Sequence, residues 1–380
     1  IVVPPKLVVE GENYQEALDN MDHLFIKNMW GDGLPMLPPT EERVAWILTG
    51  TDLSPDLEIG KIMPRGGIAT VETIAATLAM AGGRPEYLPV LIAATEALVT
   101  PEYGLASRNS TTNSNFPVVV VNGSVGRDIR LASNYGALGP DPLHPAAGSI
   151  GRAVRLILQN VGGGVPGIGT MAIHGYMRHT NAVFAEAETS PWPALSTEMG
   201  VPEGRNAVTV FNANGVTLVT GSDVSTPETA EECLYKAAWY MRVPNFNTIG
   251  DGAVVAGAWL IADESARGLA DAGWTKDDIK AYLWENSKVS VADLTTATRT
   301  TTRSFLHRWE AAVTEGVDRL PQTADPELIQ VIVVGGSQAG HGAWMQSMGG
   351  GRASVEIQLP ANWDELMAQA EVDLGPAPAD

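Results

Sequence analysis

Two apolar runs constrain this chain more than anything else in it: Phe116–Val121 (FPVVVV) and Ile329–Val334 (IQVIVV). Runs without polar alternation are the pattern of strands covered on both faces, as in sheets flanked by helices. The first ends in Asn122-Gly123 and the second in Gly335-Gly336-Ser337, with Gln338 to Gly342 beyond. Such strand ends are where open α/β sheets build their sites. The expected fold is therefore α/β, with buried mixed or parallel sheets covered by helices.

The rest of the chain fits that frame. Tyr14–Trp30 has apolar residues at helical spacing, and Thr40 is placed to cap a helix over EERVAWIL. Thr70 caps VETIAATLAMA, which Gly82-Gly83 closes, and Pro85 opens PEYLPVLIAATEALV. Ser149–Val161 reads as a helix ending on Gly162. Ala207–Thr220 (AVTVFNANGVTLVT) predicts a hairpin turned by Asn214-Gly215. Helices follow from Pro227 and from Thr275, the latter with a Thr275/Asp278 capping box. VVAGAWLI and ASVEIQL read as strands, and NWDELMAQA as a closing helix. The chain divides most naturally into lobes of residues 1–204 and 205–380, each with one buried strand leading into glycines.

Composition narrows the function classes. Hydrophobic residues make up 44% of the 380 and charged residues 18%, enough for a sizeable core. The net charge of −20, from 44 acidic against 24 basic residues, disfavours nucleic acid and anionic membrane as partners. The single cysteine, Cys233, excludes an internal disulfide and fits a reducing compartment. Its helical context marks it as a small buried hydrophobe. No apolar run reaches membrane-spanning length, and the opening IVVPPKLVVEGE lacks a basic-then-apolar signal, so a cytoplasmic location is expected.

The densest chemistry lies between Gly162 and Trp192. A glycine-rich loop leads to His174 and His179, then to Glu186 and Glu188. The histidines are five apart, which does not match two ligands on one helix face. The glutamates alternate, so on a strand both would point the same way. Two imidazoles and two carboxylates can bind a divalent metal or divide general acid and base work between them; the plainer alternatives are an exposed strand edge and packed histidines. His174, Glu186 and Glu188 are the candidate catalytic residues. The polar segment Ser107–Asn113 supplies Thr111 and Thr112 for substrate binding, alongside Arg65, Asn122, Ser337 and His341.

Several familiar motifs are absent. Gly335-Gly336-Ser337 lacks the last glycine of a nucleophile elbow, and His341 follows too closely to complete a hydrolase triad. Neither buried strand leads into GxGxxG, and no Gly-Lys-Ser/Thr makes a phosphate loop. With no CxxC and no HExxH, neither a structural zinc nor another cofactor is expected. The glycine-rich stretches at 162–164, 335–336 and 349–351 are left as sharp turns or as backbone N–H cradles for an anion.

Trp30-Gly-Asp-Gly-Leu-Pro35, Pro38-Pro39-Thr40, Arg65-Gly-Gly67, Gly83-Arg-Pro-Glu-Tyr-Leu-Pro-Val90 and Thr111-Thr112 carry a resemblance. Asn122-Gly123, Ile150-Gly-Arg-Ala153, Asn160-Val-Gly-Gly163 and Ala185–Trp192 extend it. Together they resemble a bacterial family associated with small thiol-oxidoreductase-like domains that carry a UGSC motif, selenocysteine or cysteine at its first position. The likeness covers most of residues 30–192 and, more weakly, 333–341. That family often has a cysteine where this chain has Gly82 or Gly83. The resemblance implies a bacterial cytoplasmic enzyme or enzyme subunit, with no reaction specified. The reading is a small-molecule enzyme, a hydrolase or lyase, in which His174 moves a proton and Glu186 orients it or acts as base. The alternative is a non-catalytic subunit that docks a thiol-oxidoreductase partner, and either can be a homo-oligomer.

Overall fold

Every residue of the strand Phe116–Asn122 is buried, because it is covered on both faces. The computed structural model describes residues 6–176, 180–220, 224, 226–242, 255–298, 307–337, 340–348 and 351–377. Its strands are β1 (Glu58–Ile62), β2 (Gly67–Thr70), β3 (Phe116–Asn122), β4 (Ala182–Ala185), β5 (Ala207–Ala213) and β6 (Gly215–Val219), then β7 (Val255–Ile261), β8 (Val289–Ser290), β9 (Arg319–Leu320), β10 (Ile329–Val333), β11 (Gly342–Met348) and β12 (Arg352–Glu356). Two four-stranded sheets result, in the orders β12-β5-β3-β4 and β10-β7-β11-β6. Ribbons β1-β2 and β8-β9 stand apart from them. The fold is α/β, with mixed sheets and helices around them.

Side-chain alternation on the strands sorts the core into layers. Val118 and Val120 of β3 pack with Leu260 of β7, Ile332 of β10 and Met345 of β11, so the sheets lie face to face. Val119 and Val121 point the other way, onto Ile150, Val154 and the helices Val71–Met80 and Leu88–Val99. Trp259, Ile261 and Val331 of the second sheet likewise meet Leu234, Leu269 and Ile279. The order of layers is helices, sheet, sheet, helices.

The connections repeat. In one half, β3 runs through a helical crossover to its parallel neighbour β4, and β5 returns antiparallel to β3. In the other, β7 reaches parallel β10 and β11 returns antiparallel to β7. The fourth strand of each half is exchanged: β6 pairs with β11, and β12 pairs with β5.

That exchange corrects the expected hairpin over Ala207–Thr220. The alternation of β5 and β6 is hairpin-like, but neither Asn214 nor Gly215 takes the positive φ such a turn needs. Instead the Asn214 amide donates to Gln346 O at 2.8 Å, and the chain passes straight from one sheet to the other. Strands therefore also cross the division at 204: β5 and β12, from beyond it, complete the sheet that holds β3 and β4.

The helix ends follow the cap residues. Thr40 accepts from Arg43 N, while Thr70/Thr73 and Thr275/Asp278 form capping boxes. The crossover helix begins at Pro145, before the expected Ser149, and its last turn, Ile157–Val161, widens to a π-turn stopped by Gly162. No helix among the described residues is long and apolar enough to cross a membrane.

Candidate functional site

Parallel β3-β4 and β7-β10 deliver their C-terminal ends to one place. Ala187 N, just past β4, donates to Val333 O of β10 at 2.8 Å, which ties the two sheets together there. Gly335 N donates to Ser133 O at 3.1 Å, closing a wall. Above these ties lies a cleft of about 440 Å³, lined by Arg127, Ser133, Asn134, Glu186–Thr189, Asp263, Arg267 and Ser337, among others. A larger hollow of about 920 Å³, between the Tyr14–Asn28 and Glu41–Leu48 helices, is mostly apolar and contains none of the residues expected to be functional.

The alternating glutamates part company at the cleft, because β4 ends at Ala185 and the chain then turns toward β10. Glu186 is buried. Its Oε2 accepts from Asn122 Nδ2 and from Leu195 N, both at 2.7 Å, while Lys276 Nζ lies 3.3 Å from Oε1. Asn122 Oδ1 in turn accepts from Ser196 N at 3.2 Å. Lys276, also buried, donates to Pro193 O at 2.6 Å. This network pins the Leu195–Glu198 turn beneath the cleft and occupies both oxygens of Glu186. Each carboxylate oxygen thus already has a partner within the fold.

Glu188 points outward and pairs with Arg127 Nη1 at 2.7 Å. On the opposite wall Asp263 pairs with Arg267 at 2.8 Å and accepts from Thr189 Oγ1 at 2.8 Å. Each half of the fold thus contributes one arginine–carboxylate pair. Arg127, Glu188 and Arg267 face solvent while Asp263 is half-buried, and ion pairs with exposed members are weakly held and can exchange a partner for a ligand. Ser337 lines the same cleft. His341 sits nearby at the start of β11, exposed, with its carbonyl accepting from Ala262 N.

The other expected residues lie at the far end of β3. His174 is exposed, and its neighbour Ile173 N donates to Thr112 O at 3.1 Å. Thr170 Oγ1 reaches Thr111 O at 3.5 Å. Arg65 N donates to Gly162 O, and a Cβ on Gly163 would fall 2.4 Å from Arg65 Cδ. A seven-residue strand separates this end from Asn122 and Glu186, roughly 20 Å at about 3.3 Å per residue. His174 and Glu186 therefore do not form one acid–base pair, while Asn122 and Glu186 do meet. His179 lies outside the described residues.

One dyad escaped the sequence reading. His144 Nδ1 lies 2.9 Å from Asp141 Oδ2, an i, i+3 pair in the loop whose Ser133 and Asn134 line the cleft. Burial would raise the Asp141 carboxyl, but hydrogen bonds from His144 and from the Leu143 and His144 amides hold it below its ordinary value. An imidazole oriented through Nδ1 by a carboxylate keeps Nε2 for proton transfer. The same loop sets Tyr135 against Gly336, where any Cβ would fall 2.2 Å from the ring. The only available signal was Asp-Pro-Leu-His ahead of a helix.

Among the described residues, no group of three or more His, Cys, Asp and Glu side chains can hold a metal ion. Cys233 is buried in the Pro227–Met241 helix. No family model, curated protein or solved structure matches the chain.

Proposed function

We propose that the cleft at the joined strand ends binds a small polar molecule and transforms it by proton transfer, as a hydrolase or lyase. The observation that carries this is the pair of exchangeable arginine–carboxylate contacts, Arg127–Glu188 and Arg267–Asp263, one from each half and both lining one cleft. A substrate with an anionic group takes one arginine from its carboxylate, and the freed carboxylate meets a cationic or hydroxyl group. Ser133, Asn134, Thr189 and Ser337 supply further hydrogen bonds. His144, held by Asp141, is the proton carrier in place of His174. Glu186 and Asn122 keep the floor of the cleft in shape.

The test is a melting-temperature screen of small amino, hydroxy and keto acids against the parent, Arg127→Ala and Arg267→Ala. Compounds that stabilise the parent are then assayed for turnover with the parent and with His144→Ala. A ligand whose stabilisation disappears in both arginine variants, and whose turnover falls at least a hundredfold in His144→Ala, supports the proposal. Stabilisation indifferent to both arginines removes the cleft, and turnover indifferent to His144 removes the proton carrier.

A further inference from the structure

At the opposite end of β3 lies a cation that the cleft does not use. Arg155, late in the Pro145–Leu156 helix, is 2% exposed. Its Nη2 donates to Asn181 Oδ1 at a long 3.3 Å, and its Nε and Nη1 have no hydrogen-bond partner. Among the described residues no carboxylate pairs with it. Tyr176 covers one face of the guanidinium, with the ring centroid 3.4 Å from Cζ. Buried charges are ordinarily paired, and arginine most often with a carboxylate or phosphate. A π-face offsets only part of the cost of burying a full charge.

The surroundings are built to hold this arrangement. Asn181 Nδ2 is anchored on Gly151 O at 2.7 Å, so its Oδ1 is turned to the arginine. Tyr176 is fixed by its hydroxyl, which donates to Gly164 O at 2.9 Å and lies 3.3 Å from Asn109 Oδ1. Asn109 is itself fixed by Met63 O and Leu158 O. A second guanidinium, Arg108, lies over the buried Tyr103 ring at 5.3 Å. Burial lowers the pKa of both arginines, with tyrosines and no carboxylate among the groups opposing it. In a chain of net charge −20 an acidic partner is readily available by composition, yet no carboxylate of the described residues pairs with Arg155.

We propose that Arg155 is the anchor of a second binding site, which takes an oxyanion, the carboxylate or phosphate group of a small molecule, on its Nε or Nη1. The site is closed in this structure, and the ligand enters when Tyr176 releases its hold on Gly164 and Asn109. This site is independent of the cleft. It gives a role to the glycine-rich loop and to the Thr111/Thr112 segment, which line up at the same end.

The experiment is calorimetric titration and thermal melting of the full chain with sodium phosphate and, in parallel, with sodium acetate, at ionic strength held constant with chloride. Saturable binding of either anion is expected in the parent, absent in Arg155→Met and weakened at least tenfold in Arg155→Lys, which keeps the charge but loses the planar fork. Phosphate alone marks a phosphoryl ligand, and acetate alone a carboxylate. Without anion, Arg155→Met is expected to melt at or above the parent, since an apolar isostere removes an unmatched buried charge. The proposal falls if the parent binds neither anion, or if Arg155→Met keeps the binding. It falls equally if binding is lost in Arg127→Ala and kept in Arg155→Lys, which would put the anion in the cleft. Arg155→Met melting far below the parent would make the arginine a packing element.

Discussion

Asn122 and Glu186 stand 64 positions apart in the chain and are joined by a 2.7 Å hydrogen bond at the ends of neighbouring parallel strands. The carboxylate is almost completely buried, with Lys276 as its counter-charge. Removing one member of a buried ion pair costs about 3–5 kcal/mol where it leaves the other stranded, but Lys276 also has Glu198 at 3.6 Å. Glu186→Ala is therefore expected to destabilise by about 3 kcal/mol or less, and Glu186→Ala/Lys276→Met to recover part of it. Urea unfolding of the single and double variants measures both. Equal stability of Glu186→Ala and the parent would return Glu186 to the catalytic candidates.

The Asp141–His144 dyad gives a pH signature. The Asp141 pKa is depressed in the fold, so the unfolded chain binds its proton more readily on the acid side. Its stabilising contribution is present above the unfolded value of about 3.9 and is lost as pH falls through the lower folded value. Asp141→Asn should accordingly flatten the acid limb of the stability profile below about pH 4. Denaturant melts from neutral pH downward read this; parallel acid limbs in parent and variant would mean that the dyad is not formed in solution.

At the alkaline end the sign reverses. Burial raises the Tyr87 and Tyr103 phenols above their ordinary range, and the Tyr87 hydroxyl is buried without a hydrogen-bond partner. Raised pKa values stabilise fully below the unfolded value of about 10 and lose that contribution as pH climbs. Spectrophotometric titration should show at least two tyrosines that ionise only together with unfolding. Their reversible ionisation in the folded protein would contradict the burial.

Gly151 lies in the middle of a helix, where alanine ordinarily gains about 1 kcal/mol. Here a Cβ would fall 1.7 Å from Thr180 O, a backbone atom with little room to retreat. The clash outweighs the propensity, since overpacking typically costs 1–3 kcal/mol and this contact is severe. Gly151→Ala is expected to lower the melting temperature by several degrees, and a neutral result would mean that helix and strand sit further apart.

Local features were legible because they depend on neighbours in sequence. Thr70 and Thr275 announce their helices, and the valines of β3 announce a strand covered twice. Pairing was not legible for β5 and β6. Their residues say nothing about which sheet supplies the partner, β5 being buried at every position and β6 mostly exposed, and Asn214-Gly215 mimics a turn it does not make. At the site, Glu186 stands out by spacing, but Lys276, next to the Thr275 cap, carries no such signal. Only the fold reveals that the two are buried together. Arg127 and Arg267 carried no sequence signal, and His174 drew attention through its glycines while lying a strand's length away.

The exchange of β6 and β12 has a bearing on synthesis. When the ribosome has made β3, β4 and β5, their sheet still lacks the edge strand β12, which comes only after β11, and β6 has no partner to join. The nascent chain must keep an open edge on β5 and an unattached β6 until Arg352–Glu356 emerges. Neither half can be finished before the other begins, so a strand made long after β5 decides whether the edge of β5 is protected from sticking to its neighbours.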